Sequence, residues 1–332
     1  MIMSGKSSFV SILPYGIRLI GLDKCTSLPP NSHTFSIALG NFDGVHTAHR
    51  LLLAAATRKA SARKNCHSAV FCFDPPSSDY LNMSGVVGRH LSTTAEKLTA
   101  FRECGIQYVF LADFPALKNV EPSDFINDVL KNVCRAECVV CGFNFRFGRM
   151  GAGTPDLLKQ AFPDGHCETV PPCCIPIGHE AATVISSSAI RNALTDGQIE
   201  TAGRLLGQPY SITAPIVTGK QLGRTIGVPT VNQSFPEDKI LLRHGIYVTR
   251  CFIDGNWYEG ISNVGTRPTV DDHAPVNCET HLLHFNGDVY GHLATVEFLH
   301  RLRDEKRFRS IEDLKKAIQS DVENAIKYFK TK

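Results

Sequence analysis

The stretch ALGNFDGVHTAH, residues 38–49, determines how the first half of the chain is interpreted. It joins an apolar run, residues 35–39, to a segment rich in helix-forming residues that begins near Val45. Gly40 and Gly44 allow backbone conformations and close approaches that a larger residue obstructs. We therefore expect a buried strand, a glycine-containing turn and then a helix.

Two histidines fall in the first turn of that predicted helix. His46 and His49 are three residues apart, so they share one face of the helix. The first amides of a helix have no partner within it, and the helix dipole favours negative charge there. A phosphate would meet backbone donors and two imidazoles, so the stretch indicates a nucleotide-phosphate site. Without further context, two surface histidines on an amphipathic helix explain the pattern equally well.

The segment GNFDGVHTAH, residues 40–49, resembles GNFDGVHxGH, the signature of the bifunctional riboflavin kinase/FAD synthetase family. This signature is a specialised form of the HxGH element of nucleotidyltransferases. The resemblance implies that His46 and His49 are catalytic. It also implies nucleotide binding by the residues before them, which are Gly40, Asn41, Phe42, Asp43 and Gly44. Ala48 stands where the family has glycine.

Length and composition restrict the remaining interpretations. A chain of 332 residues is longer than most single domains, so we expect two. A net charge of +3 argues against a general nucleic-acid binder. No stretch approaches the roughly 18 to 20 apolar residues of a spanning helix, so we expect no membrane partner and a cytoplasmic protein. Twelve cysteines in such a protein indicate reduced thiols rather than a disulfide framework.

A zinc site at Cys138 and Cys141 is not expected. The two cysteines lie in an extended apolar run, where residues three apart point to opposite faces of a sheet. They would need further ligands from elsewhere in the chain to bind a metal. The candidates are Cys134, His166, Cys167, Cys173 and Cys174.

Apolar runs alternate with helical segments through the first half of the chain. The runs are residues 35–39, 69–73, 108–111 and 138–141, and the helical segments include residues 94–104 and 122–133. This alternation predicts an α/β domain with a Rossmann-like parallel sheet. Ligands of such sheets bind outside the carboxyl ends of the strands. Asn41, Asp74 and the loop after Gly142 follow strand ends, so we expect them to converge.

The loop VVCGFNFRFGRMGAG, residues 139–153, follows one of these strand ends. Arg146 and Arg149 are suited to bind phosphate, although an aromatic and glycine-rich surface loop is an equal alternative. The loop resembles the GxxFxFG segment of the family, which helps to bind the nucleotide and FMN. The resemblance implies binding by Asn144 and, less directly, by Phe145.

A serine-rich stretch, VISSSAIR, opens a helical segment at residues 184–191. Taken alone, the serines are a helix N-cap. The stretch resembles ISSTxIR, the family counterpart of the mobile KMSKS-type element that supports the departing pyrophosphate. Ser187, Ser188 and Arg191 match that element, which implies nucleotide binding by the two serines and a catalytic role for Arg191. LLGQPYSI, residues 205–212, matches the segment that joins the two modules.

After Pro209 the sequence changes to short β-rich runs separated by glycines. The runs are residues 246–253, 257–261, 280–285 and 294–298, and they predict a small antiparallel β-barrel. A C-terminal helix follows, with Ser310 and Asp313 as a capping pair. We expect its apolar stripe to be core, at Ile311, Leu314, Ile318, Val322, Ile326 and Phe329.

The stretch GKQLGRTIGVPTVN, residues 219–232, carries the chemistry of this second region. Thr230 and Asn232 are two residues apart on one strand face, and oxygens so placed suit Mg²⁺ completed by ATP phosphates. Glycine spacing alone favours an ordinary turn. The stretch is, however, similar to the riboflavin kinase signature GRxxGxPTxN. The resemblance implies nucleotide binding by Gly219, Lys220, Gly223, Arg224 and Gly227, in addition to Thr230 and Asn232.

Glu279 lies in a predicted strand and is either a paired structural carboxylate or a general base. The family places its catalytic base at the glutamate before an HxLDF-like sequence. The corresponding residues are Glu279 to Leu283, with His284 in place of the usual aspartate. Residues 265–270 and 298–308 extend the resemblance, which covers approximately residues 35–330.

The resemblance implies an FMN adenylyltransferase domain at residues 1–185, a helical connector at 186–208 and a riboflavin kinase domain at 209–332. ATP with Mg²⁺ would phosphorylate riboflavin to FMN and then adenylylate FMN to FAD. Two alternatives stay open. In the first, the chain is a riboflavin kinase whose adenylylation module has decayed, because Ala48 replaces glycine and FDPPSS at residues 73–78 lacks the histidine of the family's FxPHP. In the second, the chain is a non-catalytic flavin carrier. The carrier is disfavoured by Thr230, Asn232 and Glu279, because binding of a flavin ring needs none of these residues.

Overall fold

The computed structural model describes residues 8–14, 17–22, 31–74, 76, 89–177, 182–219, 227–266 and 276–332. The chain forms two compact units that divide between Ser187 and Ser188. None of the helices in these described ranges is both long and apolar enough to cross a lipid bilayer.

A seven-stranded sheet forms the centre of the N-terminal unit. Its strands are β1 (Ser8–Ile12), β2 (Arg18–Gly21), β3 (Thr34–Leu39), β4 (Cys66–Phe73), β5 (Tyr108–Ala112), β6 (Ala136–Gly142) and β7 (Cys167–Val170). Their order is β1-β2-β5-β4-β3-β6-β7. Strands β3 to β7 are parallel, whereas β1 and β2 form an antiparallel edge. The predicted parallel α/β sheet is confirmed.

Both faces of this sheet are buried. On β3, Ile37 and Ala38 belong to different core clusters, and neither side chain is exposed. Strands that are buried on both faces have nearly continuous apolar sequences. This explains why the sequences of these strands do not alternate between apolar and polar residues. The helices of the unit are α1 (Thr47–Ser61), α2 (Thr94–Glu103), α3 (Phe114–Leu117), α4 (Pro122–Asp124) and α5 (Pro155–Ala161), with a π-helix at Phe125–Val133.

Two of these helical segments differ from expectation. Helix α1 begins at Thr47, so His46 is its N-cap rather than a residue of its first turn. The segment at residues 122–133 is helical, but most of it is a π-helix. Phe125, Val129 and Leu130 form its buried face.

The strand order fixes where a ligand crevice opens. From β3 the chain moves to β4 on one side, whereas β6 pairs with β3 on the other side and continues to β7. The β3/β6 boundary is therefore a topological switch point, where the loops beyond the strand ends diverge. The glycine turn at residues 40–45 and the loop after Gly142 both leave the sheet at this point. A two-stranded hairpin, β8 (Cys174–Ile175) and β9 (Thr183–Val184), completes the unit.

The C-terminal unit begins with helices α6 (Ser187–Thr195) and α7 (Ile199–Leu206), of which α6 starts at the division between the units. Six antiparallel strands follow, which are β10 (Tyr210–Pro215), β11 (Val231–Ser234), β12 (Gly245–Ile253), β13 (Asn256–Thr266), β14 (Val276–Leu282) and β15 (Leu293–Arg303). They pair in the order β10-β15-β12-β13-β14-β11.

The two edge strands of this sheet approach each other and nearly close a barrel. Val217 N–H donates to the Asn232 carbonyl at 2.8 Å. The buried Gln233 amide on β11 donates to the carbonyls of Ala214 on β10 and Ala294 on β15, at 2.7 and 2.8 Å. The predicted antiparallel barrel is thereby confirmed, and a glutamine side chain supplies bonds that the edge strands do not make.

Details of the second half correct the sequence analysis. Strand β10 was not predicted, because it is short and lacks a long apolar run. The strand predicted at Thr230 and Asn232 is β11, which begins at Val231. The predicted strand at residues 280–285 is displaced, since β14 ends at Leu282 and His284 has a φ of 58°. Such a left-handed residue belongs to a turn.

The C-terminal helix, α8 (Ile311–Lys330), follows the barrel. Ser310 caps it, because its hydroxyl accepts the Asp313 N–H at 3.1 Å. Ile318, Val322 and other stripe residues pack against barrel residues as predicted. Ile311 was wrongly predicted as core. It is 58 % exposed because it is the first residue of the helix and precedes the turns that contact the barrel.

Candidate functional sites

A cavity of about 1120 Å³ opens at the carboxyl ends of the parallel strands. Residues from the loops after β3, β6 and β7 line it. The sequence-predicted residues among them are Gly40, Asn41, His46, His49, Asn144, Phe145, Arg146 and Ser187. Ala48, the residue that departs from the family signature, lines the same cavity.

The turn between β3 and α1 has an unusual backbone. Phe42 and Val45 have φ values of 52° and 40°, and Gly44 has a φ of 79°. The Phe42 side chain is fully buried and packs edge-to-face on Phe101, with 5.5 Å between ring centroids. A Cβ at residue 40 would come within 3.2 Å of the Phe42 ring, so glycine allows this ring to lie beneath the turn. The aromatic anchor therefore holds a strained turn in place.

The two histidines are brought together at the beginning of α1. The His49 N–H donates to His46 Nδ1 at 3.3 Å, so His46 caps the helix through its side chain. The imidazole rings stack with 3.6 Å between their centroids. Because His46 Nδ1 accepts this bond, its ring hydrogen is on Nε2 when the ring is neutral.

Both imidazoles are neutral at pH 7. Burial lowers the pKa of His46 to about 4. Burial, followed by the proximity of His46, lowers the pKa of His49 well below its usual value. His49 Nδ1 is itself buried and has no hydrogen-bond partner among the described residues. The pair therefore offers hydrogen-bonding groups rather than positive charge.

Asp43 does not line this cavity but is buried beneath the turn. Its carboxylate accepts the N–H groups of Leu91 at 2.9 Å and Ser92 at 3.3 Å. In return, the Gly44 N–H donates to the Ser92 hydroxyl at 2.9 Å. Phe42 and Gly44 also lie outside the lining. These three predicted binding residues shape the turn that presents the histidines.

The serine-rich element reaches the same turn. Ser187 Oγ donates to the Asp43 carbonyl at 3.1 Å, and Ser186 and Ser187 line the cavity. Ser188 and Arg191 lie on α6 and belong to the C-terminal unit.

Two residues that we expected to converge on the cavity instead form hydrogen bonds or ion pairs outside it. Asp74 accepts the Thr94 hydroxyl at 2.8 Å and forms an ion pair with Arg18 at 3.3 Å. Arg149 forms an ion pair with Glu121 at 3.2 Å. Neither residue lines the cavity.

Several lining residues were missed by the sequence analysis. They include Phe73 at the end of β4, Phe114 and Lys118 near α3, and Cys173 after β7. No motif connects these positions, since only the strand order brings them together. Among the described lining residues, Lys118 and Arg146 are cationic and none is acidic.

Two cavities in the described part of the C-terminal unit meet at Thr230. One, of about 250 Å³, is lined by Thr230, Asn263, Glu279 and His281 and by apolar residues that include Ile261, Phe308 and Ile318. The other, of about 310 Å³, is lined by Thr230 and by Phe285, Asn286 and Tyr290 among others. Glu279 lines only the first cavity.

Strand register places three polar residues side by side in this unit. Asn232 on β11 pairs with Glu279 on β14, which in turn pairs with Asn263 on β13. Directly paired residues of antiparallel strands point to the same face. Glu279 therefore lies between two amide side chains. The opposite face carries a buried hydroxyl chain, in which Ser262 is 2.8 Å from both Thr249 and Thr280.

The predicted phosphate loop is only partly described. Gly219 lies against Asn232, since a Cβ there would be 2.6 Å from Asn232 Nδ2. Gly227 has a φ of 82° and suits a turn. Lys220, Gly223 and Arg224 lie outside the described residues. His281 Nδ1 donates to the Pro229 carbonyl at 2.8 Å, which holds the end of this segment beside β14.

An ion pair that the sequence analysis missed joins the C-terminal helix to the barrel beside the smaller cavity. Arg303 makes two bonds to the buried Asp321 carboxylate, at 2.9 and 2.7 Å. Within the part of the chain that the structure describes, no three His, Cys, Asp or Glu side chains cluster as a metal site would require.

Comparisons with known proteins agree with this two-site arrangement. Residues 28–189 match the family model of FAD synthetase, and residues 206–329 match that of riboflavin kinase. The bifunctional riboflavin kinase/FMN adenylyltransferase of Bacillus subtilis (strain 168) is 32% identical over 298 residues, which are 88% of this chain and 92% of that protein. The protein of the same description from Escherichia coli (strain K12) is 33% identical over 300 residues, with the same shares covered.

A solved structure extends the similarity to the fold. A crystal structure described as a macrolide-efflux protein from Streptococcus pneumoniae has a TM-score of 0.77 and 28% identity. The match covers 91% of this chain and 96% of that one. The relatives above share 32% and 33% identity over almost their whole length. The chain belongs to the bifunctional riboflavin kinase/FMN adenylyltransferase family.

Proposed function

We propose that this chain phosphorylates riboflavin to FMN in its C-terminal unit and adenylylates FMN to FAD in its N-terminal unit, with ATP as donor in both steps. The observation that carries the proposal is the separation of two equipped cavities. One contains Glu279 and Thr230, and the other contains His46, His49 and Ser187. A carrier that only binds flavin has no need of either set.

The cavities on the two sides of Thr230 suggest how the kinase arranges its substrates. Riboflavin would occupy the cavity that contains Glu279, where apolar residues suit the flavin ring. ATP would approach from the other cavity, so that its γ-phosphate lies near Thr230. Glu279 then accepts the proton of the ribityl 5′-hydroxyl as that oxygen attacks phosphorus. The new P–O bond forms as the bond to the β-phosphate oxygen breaks.

We propose that Thr230 and Asn232 hold Mg²⁺ together with the ATP phosphates. Their oxygens are hard donors, and magnesium in such sites usually has few protein ligands. The position of Asn232 between Gly219 and Glu279 supports this assignment. The ion would neutralise charge on the transferred phosphoryl group. Gly219, Lys220, Gly223, Arg224 and Gly227 are proposed to enclose the phosphates.

In the second step a phosphate oxygen of FMN attacks the α-phosphorus of ATP, and the bond to the departing pyrophosphate breaks. No protein nucleophile is required, so the site acts by positioning and by hydrogen bonding. His46 and His49, both neutral, are proposed to donate ring N–H groups to phosphate oxygens. The beginning of α1 adds backbone donors. Ser187, Ser188 and Arg191 are proposed to support the pyrophosphate, and Asn41 and Asn144 to bind nucleotide.

The residues of the turn act indirectly in this proposal. Gly40, Phe42, Asp43 and Gly44 set the path of the chain into α1, and the histidines depend on that path. We also propose a cytoplasmic location, where reduced thiols are normal. Eleven cysteines of the described residues are free thiols.

Incubation with riboflavin, ATP and Mg²⁺, followed by chromatography of the flavins, tests the proposal. We expect FMN to appear first and FAD to follow. Accumulation of FMN without FAD, also when FMN is the starting flavin, would favour a decayed adenylylation module. Binding of riboflavin with neither product would favour the carrier.

A further inference from the structure

Asn263 has a polar atom that the proposed mechanism does not use. It lies on β13 and lines the same cavity as Glu279. Its Oδ1 atom is buried and has no hydrogen-bond partner among the described residues. Buried acceptors are nearly always paired in folded proteins, so an unpaired one beside a cavity indicates a donor that arrives with a ligand or with water.

Strand pairing fixes the distance of this acceptor from the proposed base. Asn263 pairs directly with Glu279, so their side chains share one face of the barrel sheet. Neighbouring strands are about 4.8 Å apart. A hydroxyl that donates to Glu279 is therefore within one strand spacing of the amide of Asn263. A second hydroxyl on the same molecule, close to the first, suits the Asn263 oxygen.

Because Asn263 Oδ1 is an acceptor, the ligand group that pairs with it must be a hydrogen-bond donor. Amide oxygens only accept hydrogen bonds, so an ether, a ring nitrogen without hydrogen or a phosphate dianion does not satisfy Oδ1. A ligand side chain with several adjacent hydroxyls does satisfy it. The flavin ring alone presents few donors, whereas the ribityl chain presents one at each hydroxyl.

We infer that Asn263 Oδ1 accepts a hydrogen bond from a secondary hydroxyl of the riboflavin side chain and thereby selects the hydroxyl that reaches Glu279. This inference rests on the proposed riboflavin kinase activity of the cavity. Asn263 is then a specificity residue, because it separates flavins with a polyol chain from flavins without one. A site built to pair a hydroxyl rejects a ligand that lacks it, since its buried polar group stays unpaired.

Binding of two flavins to two proteins tests the inference. Lumiflavin has the same ring system as riboflavin but no polyol chain. The variant Asn263→Leu keeps the approximate size of the side chain and removes the acceptor. We expect it to weaken riboflavin binding by about 5- to 100-fold, as loss of one buried hydrogen bond does, and not to weaken lumiflavin binding. Flavin fluorescence measures both affinities.

Three controls identify the contact. Asn256→Leu changes an exposed residue of the same strand and should alter neither affinity. Asn263→Gln keeps an amide oxygen acceptor without placing a second carboxylate opposite Glu279, and should restore part of the preference for riboflavin. ADP binding should be unchanged in Asn263→Leu, which separates a flavin hydroxyl from the ribose hydroxyls of the nucleotide.

Steady-state kinetics of FMN formation provide a second test of the inference. A misplaced 5′-hydroxyl should lower kcat for FMN formation as well as raise KM, because displacement of about 1 Å costs up to roughly 10²-fold in rate. The circular dichroism spectrum and the melting temperature of the same preparation report that the protein is folded. If Asn263→Leu does not fold, Asn263→Ala removes the same acceptor with a smaller side chain.

Equal weakening of riboflavin and lumiflavin, loss of ADP affinity, or no change in riboflavin affinity would each overturn the inference. Failure of the proposed function gives a different result, namely a wild-type protein that forms no FMN. In that case a wild-type preference for riboflavin over lumiflavin that Asn263→Leu abolishes would still support the contact.

Discussion

The two cavities differ in how the chain brings their residues together. The N-terminal cavity of about 1120 Å³ collects loops that follow several parallel strands, and its residues lie far apart in sequence. The C-terminal cavity of about 250 Å³ has its polar residues on neighbouring antiparallel strands, where pairing alone places Glu279 beside Asn263. The residues of one loop can change without moving the other loops, whereas a shift in strand register moves every side chain of that strand.

The two cavities also differ in charge. The N-terminal cavity has neutral histidines, two cations and no carboxylate among its described lining residues. The smaller cavity contains three carboxylates, Glu279, Glu305 and Asp321, with Arg303 and Lys306. This contrast matches the proposed chemistry, because one site receives two phosphorylated substrates and the other must remove a proton from a hydroxyl.

The largest effect is expected at the proposed base. Glu279→Gln keeps the shape of the side chain but removes its basicity, and loss of a general base typically costs about 10²- to 10⁴-fold in rate. FMN formation should fall by this factor while riboflavin binding persists. Glu259→Gln, on the adjacent strand and exposed, should leave the rate unchanged. A near wild-type rate in Glu279→Gln would remove the assignment of the base.

A second pair of variants examines the turn in the N-terminal unit. Asp43→Ala leaves the N–H groups of Leu91 and Ser92 without their acceptor, and a buried unpaired group costs about 1 to 3 kcal/mol. FAD formation and the melting temperature should both fall. Asp43→Asn keeps an Oδ1 acceptor and should stay near wild type, since we assign the residue no role that needs its charge. Equal loss in both variants would instead indicate a charged role at the nucleotide.

Ala48→Gly tests the departure from the family signature. Ala48 lines the cavity, where one methyl group of overpacking typically costs about 1 to 3 kcal/mol, or roughly 5- to 150-fold in affinity. We expect Ala48→Gly to lower the apparent KM for ATP in FAD formation and to leave riboflavin phosphorylation unchanged. The helix itself loses up to roughly 1 kcal/mol of stability. If wild type forms no FAD at millimolar ATP and Ala48→Gly does not restore it, the methyl group is not the limiting defect.

The smallest expected effect is a pH dependence of stability. The pKa of His46 is about 4 in the folded protein and about 6.5 when unfolded. Between these values the unfolded chain binds a proton that the folded chain does not, so stability falls as pH falls below about 6.5. At pH 5 the loss from this group is about 2 kcal/mol relative to pH 8.

Calorimetry of two proteins isolates this contribution. His46→Asn keeps a good N-cap residue and cannot titrate. Its melting temperature should fall less than that of wild type between pH 8 and pH 5. Parallel decreases would show that His46 is not the group responsible.

The sequence predicts residues that lie close together along the chain better than residues that only the fold brings together. His46 and His49 were predicted as a pair because three residues separate them. Their neutrality was not, since it depends on burial beneath surrounding elements. The contribution of Phe73 and Lys118 to the cavity depends on strand order, which no local pattern contains.

The same distinction holds in the barrel. Glu279 was identified from its motif, whereas Asn263 becomes informative only through its pairing with Glu279. No motif includes Gln233, yet its amide on β11 bonds the carbonyls of β10 and β15. Asp74 follows a strand end as predicted, but a hydroxyl of α2 and an arginine of β2 bind it away from the cavity.

The most direct test of the account compares two variants on two substrates. Glu279→Gln and His49→Ala are each supplied with ATP, Mg²⁺ and either riboflavin or FMN, and the flavin products are resolved. We expect opposite defects: Glu279→Gln converts FMN to FAD but makes little FMN from riboflavin, whereas His49→Ala makes FMN but little FAD. Loss of both conversions in a folded single variant would contradict the presence of two separate active sites in this chain.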